Sequence, residues 1–467
     1  MTIVRRVGDR REAVLLALLL SALLAIRLYH LGSFPGTFLG DEADNSQDAL
    51  RILHGDPPPD GFFGVDWTPQ PAMSIYVQAG FFKLFGASVL IARLPSALFT
   101  TLALAGLYLL LRRTVSMTSA LVATLLLGTN LWFLNFSRSA WNNAWVCVFL
   151  LGAMLALLRA LDSLASGTVE SRRTWGWFAA AGAFCAAGIY GYPSGRTIVV
   201  GALLFLPVAL RSCRRAWKDV LLGYLVLVIV TVALVTPLAV HAARNWSSFN
   251  RRTTNVSLTA TPQFKSDPAE AIWGQLTRNV RAPWDGAVNN TPRYTPSGQP
   301  QIDRLSGILI AVGMALSLLL PPMRRLESWL TWLMLLAAWG LTQIPTSPTP
   351  DGARGVIYVP LLVYFTGIAV EGASRSFAWL SARRGKRALR PAAAAVVLAG
   401  AAVIGAVDVD HYVSWQRSPQ TRTVRAPYLD DGEFRAWSAQ VLAYADARDR
   451  TFPVDQWRAA HPLSPTG

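Results

Sequence analysis

The sequence predicts an all-α polytopic membrane protein with about 11 transmembrane helices. Three observations predict it. Hydrophobic residues make up 52% of the 467 positions and charged residues only 15%, against about 25% charged in a soluble domain. The apolar residues gather in runs near the roughly 20 residues that a bilayer crossing needs. Arginines fill every second connection between those runs, as topology signals do.

Hydropathy places the spans at 13–31, 92–111, 117–135, 143–161, 175–191, 194–210, 220–240, 305–320, 328–344, 355–371 and 389–407. Arg5, Arg6, Arg10 and Arg11 precede the first span. Arg112 and Arg113 follow the second, Arg172 and Arg173 the fourth, Arg211, Arg214, Arg215 and Lys218 the sixth. Arg324 and Arg325 follow the eighth, and Arg383, Arg384, Lys386, Arg387 and Arg390 the tenth. The positive-inside rule puts these connections and the N-terminus in the cytoplasm and the C-terminus outside. The alternation requires that 72–86, which carries Gln78 and Lys83 and follows Pro69 and Pro71, lies on the membrane surface as an amphipathic helix. The first span has no small-residue cleavage site and reads as an uncleaved anchor.

Residues 1–407 then form one transmembrane domain, with a first outer loop at 32–91 and a long outer loop at 241–304, followed by a short extracytoplasmic tail at 408–467. In the tail, Phe434, Trp437, Val441 and Ala445 recur at helical spacing behind Asp430 and Asp431. The net charge of +16 sits between the spans and no nucleic-acid-binding motif accompanies it. Cys147, Cys185 and Cys213 fall in spans or a basic loop, which predicts no disulfide. His30, His54, His241, His411 and His461 include no pair at metal-ligand spacing on a helix.

The chemistry-bearing residues lie at the outer ends of spans. Gly40-Asp41-Glu42-Ala43 follows the first span, after the helix breakers Gly32, Pro35 and Gly36. Paired carboxylates at a bilayer edge are costly unless used. One carboxylate can take the proton of a hydroxyl as that oxygen attacks a sugar carbon, and a phosphate leaving group needs no second acid. Asp41 is the expected base with Glu42 as its support; N-capping a helix over 42–54 is compatible with that task. Arg93, Arg138, Arg196 and Arg354 stand at outer span ends, where guanidinium groups can grip a phosphate bidentately or snorkel to headgroups. Tyr192 and Tyr358, near the last two, complete the expected substrate-binding set. Arg27, near the end of the first span, reads as a simple snorkeller. Asp41 and Glu42 can also bind a divalent cation with a substrate phosphate, although nothing in the pattern demands a metal or other cofactor.

These residues resemble those of the GT-C glycosyltransferases, in the protein mannosyltransferase-like and aminoarabinose transferase-like branch. Gly40-Asp41-Glu42-Ala43, Leu53-His54-Gly55-Asp56, Pro69-Gln70-Pro71, Phe82-Lys83-Leu84-Phe85-Gly86, Arg93-Leu94-Pro95-Ser96-Ala97-Leu98, Phe136-Ser137-Arg138, and Arg354 with Tyr358 and Pro360 carry the resemblance, in that order. It implies a GT-C fold, a polyprenyl-phosphate sugar as donor, a hydroxyl acceptor on a protein, lipid or polysaccharide, and inverting single-displacement transfer on the outer face, with Asp41 as general base. It implies that the surface helices of the first loop shape the active-site cavity. One departure stands out: relatives of the aminoarabinose branch carry a Glu-Lys pair where this chain has Thr68-Pro69-Gln70-Pro71, so an arginine elsewhere must grip the phosphate. The competing expectation is a transporter or lipid flippase without chemistry. It predicts paired repeats, broken spans and ionisable groups near the bilayer midplane, whereas here the carboxylates sit at the outer edge, the outer loops are large and the sequence carries no repeat.

Overall fold

The computed structural model describes residues 10–35, 40–55, 61–63, 71–166, 171–288, 294–296, 298–347, 349–383 and 389–418. In chain order the helices are α1 (Arg10–Leu28), α2 (Gly40–Leu53), α3 (Met73–Phe85), α4 (Val89–Arg112), α5 (Met117–Thr129), α6 (Leu131–Ser137), α7 (Val146–Ala165), α8 (Ser171–Gly191), α9 (Arg196–Leu204), α10 (Leu206–Ser212), α11 (Trp217–Arg244), α12 (Trp246–Asn255), α13 (Pro262–Ser266), α14 (Pro268–Arg281), α15 (Arg304–Leu319), α16 (Leu326–Gln343), α17 (Gly352–Gly355), α18 (Val359–Arg383) and α19 (Leu389–Arg417). The described residues form no β-strand, only one isolated bridge between Ser257 and Thr346.

Helical stretches stand at all eleven positions where hydropathy predicts spans. By length and composition, six are sufficient to cross a membrane alone: 89–112, 142–165, 193–212, 214–244, 352–383 and 392–417. The bent pair α5–α6 makes a seventh. α1, α8, α15 and α16 occupy predicted positions without passing that test; α15 has only 16 residues. The span expected over 117–135 is broken, not straight. Asn130 Oδ1 accepts the Phe133 N–H at 3.1 Å and caps a new helix, while its Nδ2 donates to the Gln301 carbonyl at 3.2 Å. The chain turns by 64° there.

The surface helix expected over 72–86 is α3, whose 13 residues rise too little to cross a bilayer. Ile75, Ala79 and Phe82 of α3 pack on Ala43, Ala49 and Leu50 of α2 and on Val89 and Ile91 of α4. The resembling turn at Leu53-His54-Gly55 does end α2, with Gly55 at φ +77°, a conformation glycine adopts without steric cost. The last span runs ten residues beyond its expected end at 407, to Arg417. The helix expected from Phe434 to Ala445 lies outside the described residues, as do Arg5 and Arg6.

At one end of the bundle, buried ion pairs tie the helices together. Arg112 Nε meets Glu12 Oε1 at 2.6 Å. Arg113 reaches Asp162 at 2.7 Å and Glu327 at 2.9 Å, joining α4, α7 and α16. These two arginines, expected as topology signals, are also structural clamps. α2 and Arg93 lie toward the opposite end of α4.

Candidate functional site

Glu42 and Asp41 occupy the first turn of α2, where the helix dipole favours carboxylates. Asp41 is therefore inside the helix and is not its cap. The two side chains have different surroundings. Glu42 is fully buried, and Asp41 is half-buried. Glu42 Oε1 accepts the Arg93 Nε–H at 3.0 Å and the Ala140 N–H at 2.5 Å, and Oε2 accepts from Arg93 Nη2 at 3.2 Å. A carboxylate so engaged is a strut. Its partner Arg93, also fully buried, donates from Nη1 to the carbonyls of Leu31 and Pro35 at 3.1 and 3.0 Å. Arg93 thus holds the chain between α1 and α2, and the geometry gives it a task other than the expected grip on a phosphate.

Arg138 is reassigned in the same way. Nη1 donates to the carbonyls of Ile26 and Arg27, and Nη2 to that of Tyr29, each at 2.6 Å; Nη2 also reaches Phe34 O at 3.1 Å. Orphan carbonyls at a helix C-terminus need donors, and one guanidinium supplies them for α1. Arg27 does not snorkel. It has no exposed surface, donates to Thr100 Oγ1 at 3.3 Å and Leu23 O at 3.0 Å, and lies 5.9 Å from the centre of the Phe133 ring.

The remaining predicted residues come together elsewhere. Tyr192, Arg196 and Arg354 line one cavity of about 290 Å3 with Ser194, Phe249, Thr253 and Thr342. The tight turn Pro193–Gly195 between α8 and α9 sets Ser194 and Arg196 at its wall. Arg196 lies over the Phe249 ring at 5.7 Å from its centre. Arg354 is aimed by Asp351, which caps α17 and meets Arg354 Nε at 3.2 Å. Two buried polar atoms here have no hydrogen-bond partner: Arg354 Nη1 and Ser194 Oγ. Both line the cavity, so either can meet a polar group or water held there. Ser194 was not singled out by the sequence, although it stands in the same short turn as Tyr192 and Arg196.

Tyr358 follows Arg354 by one helical turn but lines a different cavity. That space, about 720 Å3, is walled by apolar residues of α15, α16 and α18, among them Ile308, Trp332, Trp339 and Leu362, and by Val280 and Trp284. The short stretch 352–358 therefore touches a polar cavity through Arg354 and an apolar one through Tyr358.

Hydrogen bonds link the helix of Asp41 to the arginine cavity. Asn45 Nδ2 on α2 donates to Ala140 O at 3.4 Å. Two residues on, Asn142 Nδ2 donates to Ser74 Oγ at 2.9 Å and to Gly191 O at 2.6 Å, next to Tyr192. Asn142 was not predicted; nothing in its local sequence separates it from other polar residues at span ends. Among the described residues no group of three or more His, Cys, Asp and Glu is placed to hold a metal.

Comparison with known proteins agrees with this architecture. Residues 69–241 match the model of the dolichyl-phosphate-mannose-protein mannosyltransferase family. The fold is similar to that of ArnT from Cupriavidus metallidurans, solved with undecaprenyl phosphate, with a TM-score of 0.52 at 15% identity, covering 98% of this chain and 82% of that one. It is similar also to the oligosaccharyltransferase AglB from Archaeoglobus fulgidus, solved with an inhibitory peptide and a dolichol-phosphate, with a TM-score of 0.58 at 14% identity; the match covers 98% of this chain but only 60% of that one. No curated protein matches the sequence. The chain thus shares its fold with these two membrane proteins, and residues 69–241 carry its likeness to the mannosyltransferase family.

Proposed function

We propose that the chain moves a sugar from a polyprenyl-phosphate donor to a hydroxyl acceptor on the outer face of the membrane, with its N-terminus cytoplasmic and its C-terminus outside. The observation that carries this reading is the cavity of Tyr192, Ser194, Arg196 and Arg354, where Arg354 Nη1 and Ser194 Oγ are buried without a partner. Two guanidinium groups and a hydroxyl suit a phosphate, and charge-assisted bonds of this kind contribute about 1.5–3 kcal/mol each. The adjoining apolar cavity at Tyr358 suits the first isoprene units of the same lipid. Solved neighbours hold undecaprenyl phosphate or dolichol-phosphate, which supports a carrier of this class.

The step is a single displacement. Asp41 accepts the proton of the acceptor hydroxyl as its oxygen bonds to the anomeric carbon. The bond from that carbon to the phosphate oxygen breaks on the opposite face, and polyprenyl phosphate leaves with inverted configuration in the product. Arg354 and Arg196 stabilise the charge that grows on the leaving phosphate. Glu42 and Arg93 fix the first turn of α2, which carries Asp41, without touching substrate. The transfer needs no cofactor, because phosphate is already a good leaving group.

The test incubates purified protein with a panel of polyprenyl-phosphate sugars and follows the donor by mass spectrometry. Consumption of one donor with release of polyprenyl phosphate, lost in Asp41→Asn, supports the assignment. Counter-transport of labelled lipid in liposomes without any product would replace it with the flippase reading.

A further inference from the structure

Helix α14, in the long outer loop, is folded inside out for a helix in water. Its residues divide into three arcs at about 100° per residue. Ala271, Gln275 and Asn279 face the protein, at 0%, 1% and 1% exposure. Gln275 donates to Thr346 O at 3.0 Å and accepts from Thr349 Oγ1, and Asn279 donates to Gln275 O at 2.8 Å. Gln275 thus docks the helix beside the loop that leads to Arg354, while Asn279 bonds back to Gln275 within the helix. The second arc carries Ile272, Trp273 and Val280, which are 46%, 65% and 53% exposed, with Leu276 half-buried between them. The third arc carries Glu270, Arg278 and Arg281, all exposed.

A soluble helix buries its apolar stripe and shows its amides to solvent. α14 does the reverse, which is consistent only if something apolar lies outside. The apolar arc continues into Trp284 and then into the outward face of α15, where Leu305 and Ile308 are 58% and 60% exposed. That face belongs to the membrane-facing side of an apolar helix. We infer that α14 lies in the outer bilayer interface, with Ile272, Trp273 and Val280 in the acyl boundary and Arg278 and Arg281 among lipid phosphates. Tryptophan and arginine are the residues favoured at that depth. α14 also supplies Asn279 and Val280 to the wall of the 720 Å3 apolar cavity, so its depth in the leaflet sets how that cavity opens to lipid. The placement of α14 does not depend on which reaction the site performs.

The test uses the full chain in phosphatidylcholine–phosphatidylglycerol nanodiscs. Cysteine is introduced singly as Trp273→Cys, Val280→Cys and Arg278→Cys and spin-labelled; the native Cys147, Cys185 and Cys213 are buried. Collision with lipid-soluble oxygen and with a water-soluble nickel chelate reports depth. Labels at 273 and 280 are expected to favour oxygen at least several-fold over the label at 278. Equal, chelate-dominated collision at all three overturns the inference by placing α14 in water. Low collision with both reagents at 273 and 280 overturns it in favour of a protein cover, either residues 419–467 or a second copy. Two reporters on the arc guard against one label displacing the helix.

Discussion

Glu42 and Arg93 meet in a bidentate ion pair that is closed to solvent on both sides, with Nε to Oε1 at 3.0 Å and Nη2 to Oε2 at 3.2 Å. The pair joins the first turn of α2 to the first turns of α4, and the spare donors of Arg93 hold the carbonyls of Leu31 and Pro35. Of two adjacent carboxylates, one is thereby consumed by architecture. The other, Asp41, is half-buried in the same first turn of α2.

Breaking this pair from one side should cost folding before it costs chemistry. Removing one partner strands the other charge in a site without water, at about 3–5 kcal/mol. Glu42→Gln and Arg93→Met are each expected to lower the melting temperature in detergent sharply, and to lower activity in proportion to the folded fraction. The double variant Glu42→Leu with Arg93→Met should recover part of the loss, because an apolar pair replaces two desolvated charges. Circular dichroism melting of the four proteins checks this.

Asp41→Asn should behave in the opposite way. Its side chain is half-buried and keeps a similar shape, so the stability is expected within about 0.5 kcal/mol of wild type. Transfer should fall by a factor of about 10^2–10^4, the usual worth of a positioned base. A single-turnover assay with a lipid-linked sugar separates the two effects. Full activity in the variant would remove Asp41 from the chemistry.

Much of this arrangement is legible in the sequence, and the gaps have physical causes. Spans are set by apolar length, so all eleven positions carry helices. The break at Asn130 was not legible, because a capping asparagine inside an apolar run looks like a tolerated polar residue until its amide finds Phe133 and Gln301. Arg93, Arg138, Arg196 and Arg354 all stand at the same end of the bundle, as hydropathy places them. Composition cannot say which of them meet carbonyls or carboxylates of their own chain. Long-range contacts decide that: Arg138 reaches back more than 100 residues to α1. The inverted face of α14 was hidden for a similar reason, since its loop reads as polar overall and only the docking of Gln275 shows which side is inward.

Arg354 and Arg196 should separate binding from stability. Neither is held by a closed network like that of Arg93, and Arg354 keeps a buried donor without a partner. Arg354→Gln is expected to raise KM for the lipid-linked donor by about 10–100-fold, equivalent to roughly 1.5–3 kcal/mol of charge-assisted hydrogen bonding. Arg354→Lys should recover little of it, because an ammonium cannot reproduce the fork that spans Asp351 and a ligand. Arg196→Ala should act in the same direction. Donor titration against each variant, with melting curves alongside, checks both.

The assignment of the leaving phosphate to arginines carries a further expectation. With guanidinium groups supplying the positive charge, activity should survive a chelator. Donor consumption is expected to stay within about twofold after treatment with EDTA and to be unchanged when magnesium or manganese is restored, because Arg354 and Arg196 already provide the stabilisation that a bound cation would give. A loss of activity on chelation that returns with one metal would move Asp41 and its neighbours into a cation site.

Asp48, two turns along α2 from Asp41, should make stability pH-dependent. Its carboxyl is 3% exposed and one oxygen has no hydrogen-bond partner. Burial pushes its pKa up to about 7; Arg51 at 3.7 Å pulls it down and Asp44 raises it further. The arginine is too distant for a hydrogen bond, so burial wins over the ion pair. The folded chain therefore holds this proton more tightly than the unfolded chain, whose aspartates titrate near 3.9. The stabilisation from that proton is complete below about pH 4 and is lost as pH rises through about 7. Above pH 7 the buried charge costs up to about 4 kcal/mol relative to the protonated form. Asp48→Asn keeps the shape and removes the titration. It is expected to melt above wild type at pH 8, with the gap closing towards pH 5, where both side chains are neutral. Melting curves of the two proteins across that range check the sign. A gap that widens on acidification would mean that Asp48 is held as a carboxylate by Arg51 instead.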